Sequence, residues 1–157
     1  MYILGIDPGT RKMGYAILEF AKNKTSLKEA GFIEFDSLVL SEQIIRLDIE
    51  LEKLFETYLI DEVAIESLFY AYNPKTIIKL AQFRGALCLK VLQRISSMYE
   101  YTPLQVKQAV TGNGKSKKDQ VAFMVVRLLG LQELKVTQDV TDAIAIALTH
   151  AQRVKVR

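Results

Sequence analysis

One helix-length segment constrains this chain more than any other. Residues 139 to 151 read DVTDAIAIALTHA, and Ala143 to Leu148 is apolar without interruption. A helix that is apolar nearly all round has to be covered on most of its faces, so it is expected in the interior, against a sheet. The same run is too short for a membrane. At six residues, like Val121 to Val126, it falls far short of the roughly 20 that cross a bilayer, which excludes a transmembrane protein. The opening MYILGIDPGT lacks the basic and apolar regions of a signal peptide, and Cys88, the one cysteine, can form neither an internal disulfide nor a zinc site alone. A cytoplasmic protein is therefore expected. With 157 residues, 50% apolar and 25% charged, a single domain over residues 1–157 is expected.

The rest of the sequence supplies the sheet. Tyr2 to Ile6 reads as a buried strand ending in the turn Asp7-Pro8-Gly9-Thr10, and Gly14 to Phe20 and Leu27 to Phe35 as two more strands about the polar turn Lys22-Asn23-Lys24. From Ser41 to Leu59, the spacing of Ile44, Leu47, Leu51, Leu54, Phe55 and Tyr58 predicts a helix, and Glu62 to Glu66 a strand parallel to the first. Asn73-Pro74 opens a helix to about Ile95, with Ile77, Leu80, Leu87, Val91 and Ile95 inward and Gly85 at a close packing point. Met98 to Tyr101 is a further strand, Thr102-Pro103 restarts a helix, and Ser116 with Asp119 forms a capping-box pattern for a helix through Leu129 that Gly130 ends. The fold class is α/β, with a mixed sheet: an antiparallel three-strand meander, then strands alternating with flanking helices.

The formal charge of +3 conceals polarity along the chain. Residues 29 to 62 hold ten acidic and two basic side chains, a local −8, so the remainder carries +11. That remainder is a candidate polyanion-binding surface, with the acidic segment facing away from it.

Four carboxylates stand at the ends of elements. Asp7 closes the first strand and Glu66 the fourth, while Asp139 and Asp142 share one face of the first turn of the last helix. If that helix packs beside the ends of the first and fourth strands, the four converge. Close carboxylates repel one another unless protonated or neutralised, and oxygen ligands in that number suit Mg²⁺, with Mn²⁺ as a substitute. Two such ions about 4 Å apart form the clamp used for in-line phosphodiester cleavage. Each acid taken alone also has an ordinary reading: Asp7 as an Asx-turn residue, Glu66 as a surface strand end, Asp139 as an N-cap, Asp142 as a residue favoured by the helix dipole.

Taken together, GIDPGTRKMGYA (5 to 16), AIESLFYAYNP (64 to 74), LAQFRGA (80 to 86), QVKQAVTGNG (105 to 114), KKDQV (117 to 121) and DVTDAIAIALTHA (139 to 151) resemble the RuvC family of bacterial Holliday-junction-resolving endonucleases, in order and spacing over nearly the whole chain. The resemblance implies a ribonuclease-H-like fold, a homodimer, Mg²⁺-dependent nicking of two symmetric strands of a four-way DNA junction to leave 5′-phosphate and 3′-hydroxyl ends, and work with a RuvA–RuvB branch-migration complex. By position, Asp7, Glu66, Asp139 and Asp142 match the family's catalytic, metal-binding acids; some relatives carry histidine at the third. Lys107 and Lys118 match its DNA-contacting positions, and Lys115 and Lys117 stand beside them with no acid from 107 to 118. Phe69 matches an aromatic that inserts at the junction centre, with Tyr70 an alternative wedge and a dimer interface an alternative place for either. At Lys75 and Thr76 the chain lacks the aromatic and arginine that follow the wedge in some relatives.

Competing readings are weaker. Gly114-Lys115-Ser116 resembles the end of a P-loop, but no strand leads into it. His150, the one histidine, reads as a satisfied helix-face residue rather than a ligand or base, and Cys88 as a small hydrophobe. GIDPGT also resembles the phosphate loop of the actin and sugar-kinase superfamily, whose members need a second phosphate motif that is absent here. A YqgF-like nuclease acting on RNA shares the D-x-G start, and a non-catalytic nucleic-acid-binding domain would be expected to lack at least one of the four acids.

Overall fold

The computed structural model describes residues 1–35, 39–67, 73–131 and 137–154. Three strands come first: β1 (Tyr2–Asp7), β2 (Lys12–Ala21) and β3 (Lys24–Glu34). Lys22 and Asn23 between the last two adopt positive φ, the two-residue hairpin turn whose twist matches its strands. Then follow α1 (Leu40–Thr57), β4 (Ile60–Glu66), α2 (Pro74–Arg94), β5 (Met98–Tyr101), α3 (Pro103–Thr111), α4 (Lys118–Leu128) and α5 (Gln138–Val154). The sheet order is β3-β2-β1-β4-β5. Pairing is antiparallel across β1, β2 and β3, and parallel from β1 to β4 and from β4 to β5, the mixed sheet predicted from the sequence.

Strand alternation divides the core between two faces. Leu4, Ile6, Met13, Ile17, Val63 and Ile65 turn toward α1 and α2, where they meet Leu47, Leu51, Phe83 and Leu87. Ile3, Ala16, Leu18 and Ala64 turn the other way, toward α5, with α3 and α4 outside it. In α5 every side chain from Ala143 to Ala151 is buried. Burying Ile144, Ile146 and Leu148 contributes on the order of 2 kcal/mol each, so this helix anchors its half of the molecule.

Local capping explains most boundaries. Asn73 accepts a 2.9 Å hydrogen bond from the Lys75 amide ahead of Pro74, and Thr102 and Gln105 cap α3 reciprocally. Two expectations are corrected. The cap of α4 lies one residue later than Ser116: the Gln120 side chain accepts from the Lys117 amide at 2.8 Å, while Ser116 is buried against the Thr111 hydroxyl, 2.7 Å away. Gly85 is exposed and a Cβ there would meet open space, because the contact of α2 with the sheet runs through Phe83, Leu87 and Val91 instead.

The acidic stretch is mostly remote from α5. Asp48 and Glu52 of α1 both bind Lys90 of α2 at 2.7 Å, on the opposite face of the sheet. Glu62 is an exception, reaching His150 on α5.

Candidate active site

The depth at which α5 sits is decided by two glycines under it. A Cβ on Gly5 of β1 would lie 2.3 Å from the Ala143 carbonyl oxygen and 2.7 Å from the Ala147 Cβ. A Cβ on Gly14 of β2 would lie 2.0 Å from the Asp139 carbonyl oxygen. Only missing side chains allow this approach, and it carries the first turn of α5 down to the sheet.

The acids then follow from register. Asp7 lies two residues beyond Gly5 on β1 and therefore faces α5, and Glu66 lies two beyond Ala64 on β4 and faces it too. Asp139 and Asp142 descend from the helix. All four line one cleft of about 330 Å³, together with Lys107 from α3, Lys118 from the first turn of α4, and the apolar Val106, Val121 and Ile146. Because α5 already begins at Gln138, Asp139 is a first-turn residue and not the N-cap.

The electrostatics follow from this crowding. Burial pushes the Asp7 carboxyl up to about 8, with further upward push from Glu66, Asp142 and Asp139. Glu66 and Asp142 are also raised, first by burial; nearby Lys118 and Lys107 act against that rise. Lys118 Nζ lies 3.7 Å from Asp142 Oδ2, too far for a tight pair. Cationic charge is thus under-supplied here, and a divalent ion would relieve it. Among the described residues no three His, Cys, Asp or Glu side chains form a finished metal cage. Such an open set of oxygen donors fits Mg²⁺, which keeps several waters and is commonly held by one or two carboxylates together with substrate phosphate.

Of the other residues singled out in the sequence, Lys115 and Lys117 are exposed on the segment leading into α4 and do not line the cleft. Phe69 and Tyr70 lie outside the described residues. His150 is buried and satisfied, as expected. Sequence reasoning missed Gln43, a buried polar residue of α1 whose Nε2 donates to the Thr10 carbonyl at 2.9 Å and so ties the turn after Asp7 to the opposite layer. It also missed Gln138, which lines the cleft beside Asp139. Its position next to Asp139 was the only available signal.

Residues 3–150 match the family described as crossover junction endodeoxyribonuclease RuvC. The chain belongs to the RuvC family. A RuvC of Helicobacter pylori (strain G27) is 60% identical over 155 residues, 99% of each chain. Among solved structures, Thermus thermophilus RuvC superposes with a TM-score of 0.88 at 28% identity, covering 99% of this chain and 96% of that one. The T. thermophilus RuvC solved in complex with a Holliday junction substrate gives 0.87 at the same identity and coverage. The fold is therefore ribonuclease-H-like and the chain is an endonuclease of the RuvC type, a family of metal-dependent hydrolases. The RNA-processing and non-catalytic readings are not favoured.

Proposed function

We propose that this RuvC-family chain resolves Holliday junctions through the cleft formed by Asp7, Glu66, Asp139 and Asp142, which hold two Mg²⁺ ions, with Mn²⁺ able to substitute. The observation that carries the reading is the convergence of four carboxylates, one of them pushed up to about 8, beside two lysines. Bound there, the ions would supply the charge that activates a water for attack at phosphorus and stabilises the departing 3′ oxygen, leaving 5′-phosphate and 3′-hydroxyl ends. The acids hold the ions and, once ionised, offer them oxygen donors. Lys118, anchored on α4, and Lys107, on α3, draw the phosphate backbone into the cleft that they line together with the four acids. Val106, Val121 and Ile146 give the cleft an apolar part of its lining, which lowers the local dielectric and strengthens these interactions.

Lys115 and Lys117 extend the phosphate contacts beyond the cleft, and Phe69 stacks on bases at the junction centre. Nicking two symmetric strands asks for two sites related by a two-fold axis, hence a homodimer. The exposed Ile45 and Ile49 of α1 and Ile78, Leu89 and Leu92 of α2 offer apolar surface for one. A RuvA–RuvB branch-migration complex is the partner that the family likeness suggests. A cytoplasmic setting suits the free Cys88, and among the described residues no helix is long and apolar enough to cross a membrane.

A gel assay with Mg²⁺ on a four-way junction, a linear duplex and an RNA–DNA hybrid tests the reading. Symmetric nicks in the junction alone are expected; cutting of the hybrid in preference to the junction would overturn it.

A further inference from the structure

Eight residues beyond Asp142, on the same stripe of α5, His150 is 1% exposed. Its Nε2 meets the Glu62 carboxylate of β4, and its Nδ1 lies 2.7 Å from the Tyr101 hydroxyl at the end of β5. The neutral Nε2–H tautomer satisfies both contacts at once, donating to Glu62 and accepting from Tyr101. The ring is boxed in by Tyr99, whose centroid is 4.4 Å away, and the Arg153 guanidinium lies 4.9 Å from the Tyr101 ring centre. None of these groups reaches the cleft.

Their placement nevertheless bears on it. Glu62, Ala64 and Glu66 alternate onto the α5 face of β4, while Asp142, Ile146 and His150 form one row of the helix. Four strand residues span about 13 Å and eight helical residues rise about 12 Å, so the two rows match in length. Glu66 with Asp142 and Glu62 with His150 are thus the two ends of a single helix-on-strand contact. Tyr101 closes the figure: it pairs in register with Glu66 on the neighbouring strand and accepts the Ser67 amide at 2.9 Å through its carbonyl.

We infer that Glu62, His150 and Tyr101 form a positioning clamp that fixes the sliding register of α5 on β4, and thereby the separation of the Asp142 and Glu66 carboxylates. Apolar packing of Ala, Ile and Leu holds the register by shape alone. Two hydrogen bonds to one buried ring, from two different strands, add directional contacts that hold it more narrowly. The clamp acts through the acids and rests on the reading of Asp142 and Glu66 as metal ligands.

The test uses the full-length protein, with Tyr101→Phe, which keeps the ring and removes one hydrogen bond, and the pair Glu62→Ala and Glu62→Gln. Three quantities are read: Mn²⁺ binding to the protein without DNA, followed by electron paramagnetic resonance; the Mg²⁺ concentration for half-maximal junction nicking; and junction affinity without divalent ions. Groups that orient metal ligands typically change metal affinity by about tenfold or more. Tyr101→Phe and Glu62→Ala are therefore expected to weaken Mn²⁺ binding and raise the Mg²⁺ midpoint by about that factor, with junction affinity unchanged and Glu62→Gln close to the parent. If both variants keep the parental Mn²⁺ affinity and Mg²⁺ midpoint and lose only thermal stability, the clamp is merely structural and the inference fails. Should Glu62→Ala not fold, Tyr101→Phe decides alone. Asp142→Asn separates the two layers: if it keeps Mn²⁺ binding and nicking, the assignment of the site is wrong, whereas its loss of both beside an unaffected Tyr101→Phe overturns the clamp only.

Discussion

Gly14 of β2 lies so close beneath Asp139 of α5 that a Cβ on it would stand 2.0 Å from the Asp139 carbonyl oxygen. That contact is with backbone at both ends, so no side-chain rotation can relieve it. Gly14→Ala should lift the first turn of α5 from the sheet. Overpacking of this kind costs about 1–3 kcal/mol. A displacement near 1 Å at a reacting group can cost about a hundredfold in rate, so nicking should fall far more than stability. Thermal melting and single-turnover nicking of the folded variant check this; a fully active Gly14→Ala would mean that the depth of α5 does not set the site.

The crowded carboxylates make a distinct prediction about pH. The Asp7 carboxyl is raised in the folded protein to about 8 from its ordinary 3.8, so between those values the folded state holds a proton that the unfolded chain has released. Stability without metal should therefore be greatest toward the low end of that window and fall as pH rises through it, as far as this group is concerned. Mg²⁺ should reverse the loss at the alkaline end by binding the ionised acids. Melting temperatures from pH 5 to pH 9, with and without Mg²⁺, measure it. The comparison of interest is with Asp7→Asn, whose metal-free curve should be flatter.

Lys107 and Lys118 line the cleft from α3 and α4. Alanine at either should weaken junction binding and reduce the slope of log affinity against log salt by about one. Fluorescence anisotropy across a salt series is the measurement, and an unchanged slope would remove that lysine from the phosphate path.

Gln43 reaches from α1 to the Thr10 carbonyl, 2.9 Å away, and is 2% exposed. Gln43→Leu takes a donor from the half-buried Thr10 carbonyl, at a cost of about 1 kcal/mol. A melting temperature lowered by several degrees is expected, together with slower nicking, because the turn that follows Asp7 loses its tether. Unchanged melting would show that water or another donor replaces the amide.

Much of this arrangement is legible in the sequence, for identifiable reasons. The strand and helix boundaries announce themselves through short-range chemistry: Asn73-Pro74 and Thr102-Pro103 cap their helices as such pairs do, and the apolar spacing of Leu47, Leu51 and Leu54 gives the buried face of α1. The four acids stood out because they end apolar elements. What could not be read were contacts between distant segments. Nothing local distinguishes Gly14, which lies under a helix over a hundred residues later, from Gly85, where a Cβ would meet open space. Ser116 and Asp119 carry the spacing of a capping box, yet Thr111 claims the serine, and the cap forms one residue later between Lys117 and Gln120. His150 could be judged satisfied from its surroundings in the sequence, but its partners, Glu62 and Tyr101, are fixed only by the sheet.

If the cleft between β1, β4 and α5 performs the cleavage, Asp7→Asn abolishes it. The substitution keeps the size of the side chain and removes the charge that would hold a metal ion. With circular dichroism and junction binding like the parent, single-turnover nicking of a four-way junction in Mg²⁺ should drop by about a thousandfold or more, which corresponds to a barrier higher by about 4 kcal/mol. Nicking at the parental rate by a folded, junction-binding Asp7→Asn protein would place the chemistry elsewhere.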